Sequence, residues 1–371
     1  MTPSSKLPGY SRVFDRLGSE PLVRFLRNQD IEGFTLDDWD QLIRLARRTN
    51  LLSRVAYSLN KADRLDKVPA VLRWHLDSAL LIAESSRSST LAEIRKVTEA
   101  MASADLPFIL LKGAAYTALN LELSRSRLFS DIDILVKHAD LNMAEQTLIR
   151  HGWLPSKLDR YDQKYYRLWM HELPPLQHTK RGTSIDVHHT LLPPTAKPTP
   201  DVASLWRDAD PLPAYQGCHV LCPEDRILHS TTHLFHDGDF EQGLRDLVDL
   251  DDLIRAREQE SGFWDKLIER AARHQLCRPL YYGLRYCRTL LGTRIPDEII
   301  IDCQRRGGVR GYTVKAMDIL IALAILPPLH TSRFPARTAA NWLLYARSHY
   351  LRMPMHLLIP HLVRKSLRGE K

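Results

Sequence analysis

The chain has 371 residues, of which 44% are hydrophobic and 26% charged, so it can bury a sizeable core and is long enough for two domains. Its five cysteines, Cys218, Cys222, Cys277, Cys287 and Cys303, are odd in number and form no C-x-x-C pair. That excludes a disulfide scaffold or a cysteine zinc site and points to a reducing, cytoplasmic compartment. The net charge of +8 is uneven: Gln304 to Lys371 carries 12 Lys/Arg against 2 Asp/Glu, whereas residues 1–303 carry 40 against 42. The first 25 residues hold no apolar signal core. The longest apolar run, Ile319 to Leu326, is far short of the roughly 20 residues a membrane crossing needs.

The N-terminal third reads as helix. Leu42, Ile43, Leu45 and Ala46 make an apolar stripe of helical period, and Val68 to Ala102 makes a longer one with Pro69 in its first turn. The texture changes at Leu106. Phe108-Ile-Leu-Leu is a short apolar run ending in Lys112-Gly113, which predicts a buried strand meeting a turn. A helix from Ala114 to Asn120 starts on that glycine. Asp131 to Val136 is a second strand, and Ala139 to His151 is an amphipathic helix stopped by Gly152. Glu172 to Thr190 reads as a hairpin, with Lys180-Arg-Gly-Thr183 as its turn and Ser184 to His188 as its returning strand. Residues 191–215 hold six prolines and predict an irregular crossing; beyond Pro223 the pattern is helical almost to the end. The expected fold class is α+β, a small mixed sheet set in a mainly helical protein. It divides into a helical region over 1–95, an α/β core over 96–215, and a helical region with a basic tail over 216–371.

Side chains alternate across a strand. In Asp131-Ile-Asp-Ile the two carboxylates share one face and the two isoleucines the other, and Asp186 and His188 share a face in Ile185-Asp-Val-His188. Three carboxylates from two neighbouring strands then crowd together and call for a cation or a proton. Hard oxygen donors favour Mg²⁺ or Mn²⁺, which also bridge substrate phosphates. The glycine of the Lys112-Gly113 turn permits close approach of a phosphate to the backbone, and the helix start offers N–H groups. Lys112, Arg125 and Arg127 are candidates for neutralising triphosphate oxygens.

Leu111-Lys-Gly-Ala114, Arg127-Leu-Phe-Ser-Asp-Ile-Asp-Ile-Leu-Val136 and Ile185-Asp-Val-His188 together resemble the nucleotidyltransferase superfamily, with its DNA polymerase beta-like fold. Within it they resemble the bacterial family of uncharacterised nucleotidyltransferases. His229-Ser-Thr-Thr-His233, with Arg245-Asp246 and Asp249 after it, extends the resemblance over roughly residues 40 to 290. The resemblance implies that Asp131 and Asp133 bind metal and that Asp186 completes the catalytic triad and helps deprotonate an acceptor hydroxyl. It implies also that the Gly113 turn holds a nucleoside triphosphate. Lys112, Arg127, Ser130, His188, His229 and His233 are the further candidate contacts to a nucleotide such as ATP, and His188 could instead orient Asp186. The reaction would move a nucleoside monophosphate to an unknown acceptor and release pyrophosphate. The superfamily's turn is usually Gly-Ser, whereas Ala114 follows Gly113 here.

His229, His233 and His236 fall at i, i+4 and i+7 on one helical face. They are expected beside the nucleotide site, where they would contact the acceptor or the triphosphate. Arg245, Asp246 and Asp249 read as an arginine–aspartate link between helices. Tyr165, Tyr166, Trp169, Tyr281 and Tyr282 read as core. Two other classes of function remain open on the sequence: a nucleotide-binding regulator without turnover, and a protein whose basic tail, with Trp342, Tyr345, Tyr350 and Met353 among its arginines, meets nucleic acid or a membrane surface.

Overall fold

The computed structural model describes residues 13–156, 166–167, 169–237, 240–328 and 335–354. Tyr165 and the part of the basic tail beyond residue 354 lie outside them. Five helices come first: α1 Val13–Ser19, α2 Pro21–Asn28, α3 Leu36–Arg48, α4 Leu52–Lys61 and the long α5 Ala70–Ala102. Thr35 caps α3 reciprocally: its Oγ1 accepts from the Asp38 N–H, and Asp38 Oδ2 accepts from the Thr35 N–H.

A seven-stranded mixed sheet follows, in the order β3-β4-β5-β2-β1-β7-β6. Its strands are β1 Phe108–Leu110, β2 Asp131–Leu135, β3 Trp153–Pro155, β4 Leu176–His178, β5 Ser184–His188, β6 Asp210–Pro211 and β7 Cys218–Val220. Helices α6 Lys112–Ala118 and α7 Leu141–Arg150 lie within this stretch, and α8 Val202–Arg207 lies in the proline-rich crossing. The crossing is more ordered than its prolines suggest, because α8 and the edge strand β6 form inside it. The sheet also reaches past residue 215, since β7 pairs in parallel with β1.

Alternation sorts the sheet into two faces. Phe108, Leu110, Ile132, Ile134, Ile185, Val187, Cys218 and Val220 face one core, to which α5 and α7 add Ile94, Val97, Met101, Ala144 and Leu148. Each such side chain fully withdrawn from water contributes about 1.5–3 kcal/mol. The opposite face carries a smaller apolar cluster of Ile109, Leu111, Leu135, Leu191, Leu205 and Leu221. That cluster covers only part of its face, and the carboxylates of β2 and β5 occupy the rest.

The remaining helices are α9 Pro223–Thr232, α10 Gly243–Arg255, α11 Phe263–Arg273, α12 Cys277–Tyr286, α13 Asp297–Arg306, α14 Gly311–Ala324 and α15 Pro335–Arg352. A π-helical turn, His233–Asp237, continues α9. One hydrophobic core runs from Phe14 to Leu344 and draws on all three stretches into which the sequence divides. Among the described residues no helix is long and apolar enough to cross a membrane. The described part of the basic tail is docked: Arg347 Nη1 donates to the Phe235 carbonyl at 2.7 Å, and Thr195 Oγ1 donates to the Arg352 carbonyl at 2.6 Å. Met353 is buried there, while Trp342, Tyr345 and Tyr350 are exposed. Of the aromatic residues expected in the core, Tyr281 and Tyr282 are buried there.

Candidate active site

β2 and β5 pair in parallel with Asp133 opposite Asp186. The register follows from the apolar face: Ile132 must meet Ile185 and Ile134 must meet Val187, and a slip of one residue would turn the carboxylates into the core. Asp131, Asp133 and Asp186 can each bring one carboxylate oxygen within 4.8 Å of the others. Their chemistry differs by environment. Burial raises the pKa of Asp131, and the neighbouring Asp133 adds to the rise. Burial, Asp133 and Glu172 push Asp186 up to about 7. Burial works the same way on Asp133, but Lys112 and a hydrogen bond from His188 overcome it and hold this carboxyl well below the usual range. An all-oxygen donor set in which two members resist ionisation is one that a hard dication would relieve.

Lys112 is the first residue of α6, two positions before the expected Ala114, and has φ +42°, in the left-handed region. Its Nζ donates to Asp133 Oδ1 at 2.9 Å. The ammonium expected on a triphosphate therefore rests on a carboxylate of the triad. His188 is buried, and its Nε2 lies 3.1 Å from the same Asp133 oxygen and 3.6 Å from Glu172 Oε2. Burial pulls its pKa down, but Asp133 and Glu172 carry it above the ordinary histidine value.

Gly113 is needed for a reason other than a phosphate. A Cβ there would stand 2.2 Å from Cδ1 of Phe129, so the close approach the glycine permits is that of the Phe129 ring. Arg127 also has a different task. Its Nε donates to Asp249 Oδ2 at 2.6 Å and its Nη2 lies 3.6 Å from Asp246 Oδ1, so it ties the segment before β2 to α10. It still lines the cavity beside the carboxylates but is committed to these acids. Arg125 is exposed. Ser130 donates to Asp131 Oδ1 at 3.1 Å. Arg245 pairs with its own neighbour Asp246 at 2.7 Å, so the link between elements is made by Arg127.

The three histidines do not stay on one face. His229 is buried; burial and Lys112 drive its pKa down to about 3. His233 lines the site cavity, and burial holds it neutral too. The chain turns π-helical from His233, which breaks the 3.6-residue spacing. His236 consequently has Arg347, Arg352 and Arg278 as its charged neighbours, not the carboxylates. Burial and these cations bring it down to about 3.

The cavity at the triad measures about 110 Å³ and is lined by Lys112, Gly113, Phe129, Asp131, Asp133 and His233 among others. A second, of about 150 Å³, adjoins it along Phe129, Ser130 and Asp131 and adds Ser86, Ser89, Thr90, Glu93, Thr183 and Ser184. Sequence reasoning missed Phe129, Tyr116 and Ser230 as lining residues, and it missed His171 and Glu172. The bridge between Glu172 and His188, with the His189 N–H donating to the His171 carbonyl, brings that pair beside the triad. The adjacent histidine and glutamate where the hairpin begins were the only signal.

No curated protein and no solved structure matches this chain. The family described as uncharacterised nucleotidyltransferase matches residues 35–292, well over half of the sequence. With the paired aspartate strands already in place inside that range, the chain belongs to this family of nucleotidyltransferases.

Proposed function

We propose that this protein transfers a nucleoside monophosphate from a nucleoside triphosphate such as ATP to an acceptor hydroxyl, releasing pyrophosphate, and that Asp131, Asp133 and Asp186 hold the Mg²⁺ (or Mn²⁺) the reaction needs. The observation that carries this reading is the in-register pairing of Asp133 with Asp186 on the open face of the sheet, with Asp131 beside them. The donors are all carboxylate oxygens, which fits a hard dication. Bound there, such an ion would offset the negative charge on the phosphate oxygens during in-line displacement.

Each residue then has a task. Asp131 and Asp133 supply oxygens to the cation. Asp186, with a pKa near neutrality, suits acceptance of the acceptor's proton. His188 orients Asp133 through Nε2. Lys112, whose Nζ rests on Asp133, would be the ammonium that meets a triphosphate oxygen. Both cavities are smaller than the roughly 300–1,000 Å³ that whole small-molecule ligands fill. Even together they fall short of that range and hold only part of a nucleotide, with Ser86, Ser89 and Thr90 lining the second. The division into a helical region, an α/β core and a basic helical region is kept as a proposal about labour: the core holds the nucleotide and the flanking regions shape the acceptor pocket.

The test is release of pyrophosphate from each of the four nucleoside triphosphates with Mg²⁺, in the presence of cell extract as a source of acceptor. Wild type is compared with Asp131→Asn/Asp133→Asn. Metal-dependent release by wild type alone is expected, and α-labelled nucleotide then marks the acceptor. Nucleotide binding without release in any extract would favour the regulator. Equal release from both proteins would remove the triad from the chemistry.

A further inference from the structure

Behind Asp133, away from Asp131, lies a second group of donors with a different chemical character. His171, Glu172 and His188 each place one donor atom within 4.8 Å of the other two. Glu172 Oε2 stands 3.6 Å from His188 Nε2 and 3.9 Å from His171 Nε2. Two donors bound to one ion at about 2.0–2.2 Å in a tetrahedral shell are separated by about 3.3–3.6 Å. The two separations from Glu172 are thus at that range or a few tenths of an ångström beyond it, and the third lies within 4.8 Å. The donors are also held firmly. Glu172 faces His188 across a bridge, the Leu173 N–H donates to the Val187 carbonyl, and the His189 N–H donates to the His171 carbonyl. His171 and His188 are 7% and 2% exposed, and their rings lie 5.2 Å apart. Each ring has a buried Nδ1 with no hydrogen-bond partner; the His188 nitrogen nearest Glu172 is Nε2, which meets Asp133 Oδ1 and would exchange that contact for the ion.

We propose that His171, Glu172 and His188 form a site for one transition-metal dication, Zn²⁺ above all, separate from the three-aspartate site. Two imidazoles and one carboxylate are a donor set that catalytic zinc sites use, with a fourth position left for water. Mg²⁺ and Ca²⁺ prefer all-oxygen sets such as the aspartate triad. The two sites touch through one contact, His188 Nε2 to Asp133 Oδ1 at 3.1 Å. A zinc ion on His188 Nε2 would replace that contact and leave Asp133 to its own cation. The proposal does not depend on nucleotide transfer, because the site is defined by its own donors.

The test uses the full chain, stripped with a chelator and titrated with Zn²⁺ against a chromophoric competitor in a large excess of Mg²⁺. The expected result is one Zn²⁺ per chain that Mg²⁺ does not displace. His171→Ala should weaken it by roughly 100-fold, the upper end of what even a supporting residue contributes. Glu172→Gln, which keeps the shape, should show the same direction of change. Asp131→Asn/Asp186→Asn should retain the ion. Circular dichroism establishes that each variant is folded. Wild-type protein loaded with Co²⁺ should show the strong visible bands of a four-coordinate site, a readout that needs no variant. Weak bands of six-coordinate oxygen ligation would overturn the proposal. So would the absence of Mg²⁺-resistant Zn²⁺ in wild type, unchanged binding in a folded His171→Ala, or loss of the ion in the aspartate variant alone.

Discussion

Two acidic clusters lie near one another in this protein, and they are resolved in opposite ways. On α10, Asp246, Asp249, Asp251 and Asp252 occupy one short stretch, and each has an arginine: Arg245, Arg127, Arg255 and Arg54 respectively. On β2 and β5, Asp131, Asp133 and Asp186 converge, and the ammonium of Lys112 rests on one of them. The helix cluster is neutralised by guanidinium groups, of which Arg127 and Arg54 come from outside α10 and fasten it, Arg54 reaching Asp252 through two bonds of 2.6 Å. The strand cluster has one ammonium for three carboxylates; burial raises pKa values in both clusters, on Asp131 and Asp186 here and on Asp249, Asp251 and Asp252 on α10. Buried acids with dedicated partners hold a structure together, whereas acids crowded without them are ready for a cation.

The largest effect should come from the strand cluster. Asp186→Asn is expected to cut turnover about 10³-fold, the several kcal/mol that a metal-supported step supplies, with the fold intact by circular dichroism. Turnover within a few-fold of wild type would erase the contrast between the clusters. Next is the helix cluster. Arg127→Met leaves Asp249 buried without its partner and should lower unfolding free energy by about 3 kcal/mol in urea titrations. Adding Asp249→Leu should recover most of that, since an apolar pair of similar size replaces an ion pair at little cost.

Mg²⁺ itself sharpens the comparison. At a hundred times its dissociation constant it should stabilise wild type by about 2.7 kcal/mol in thermal melts and leave Asp131→Asn/Asp133→Asn unmoved. Equal stabilisation of both would place the cation elsewhere.

The last effect is a gain. With no metal present, Asp186→Asn should raise stability at pH 8 by a few kcal/mol, at about 1.4 kcal/mol per unit of raised pKa. The folded pKa of Asp186 is raised from 3.8 to about 7. Between those values the folded state keeps a proton that the unfolded chain has lost, so wild-type stability falls as pH rises through that window. The advantage of the variant should therefore be absent below pH 4 and level off above pH 7. An advantage that grows toward acid would reverse the sign and disprove the environment assigned to Asp186.

Much of the strand cluster was legible beforehand. Asp131-Ile-Asp-Ile and Ile185-Asp-Val-His188 reveal their faces by alternation alone, because burying the isoleucines forces the carboxylates to the other side. The partners of those carboxylates were not legible. Lys112 and Arg127 read alike as cations near a phosphate, yet one reaches Asp133 and the other Asp249, 122 residues away in sequence. Gly113 announced a close approach without naming Phe129 as its cause. His236 joined the wrong face because a π-helical turn leaves no mark in the spacing of residues.

The sequence by itself determined the α+β class, the strands that bear the acids and the residues that could carry chemistry, since those follow from local periodicity and from the donor chemistry of each side chain. Tertiary structure decided which charges cancel. Pairing of β2 with β5 set Asp133 against Asp186, docking of α10 tied Arg127 to Asp249, and the bridge at Glu172 brought His171 beside His188. The physical reason is that charge pairing depends on separations of a few ångströms between groups far apart along the chain, and those separations exist only once the sheet and helices have packed.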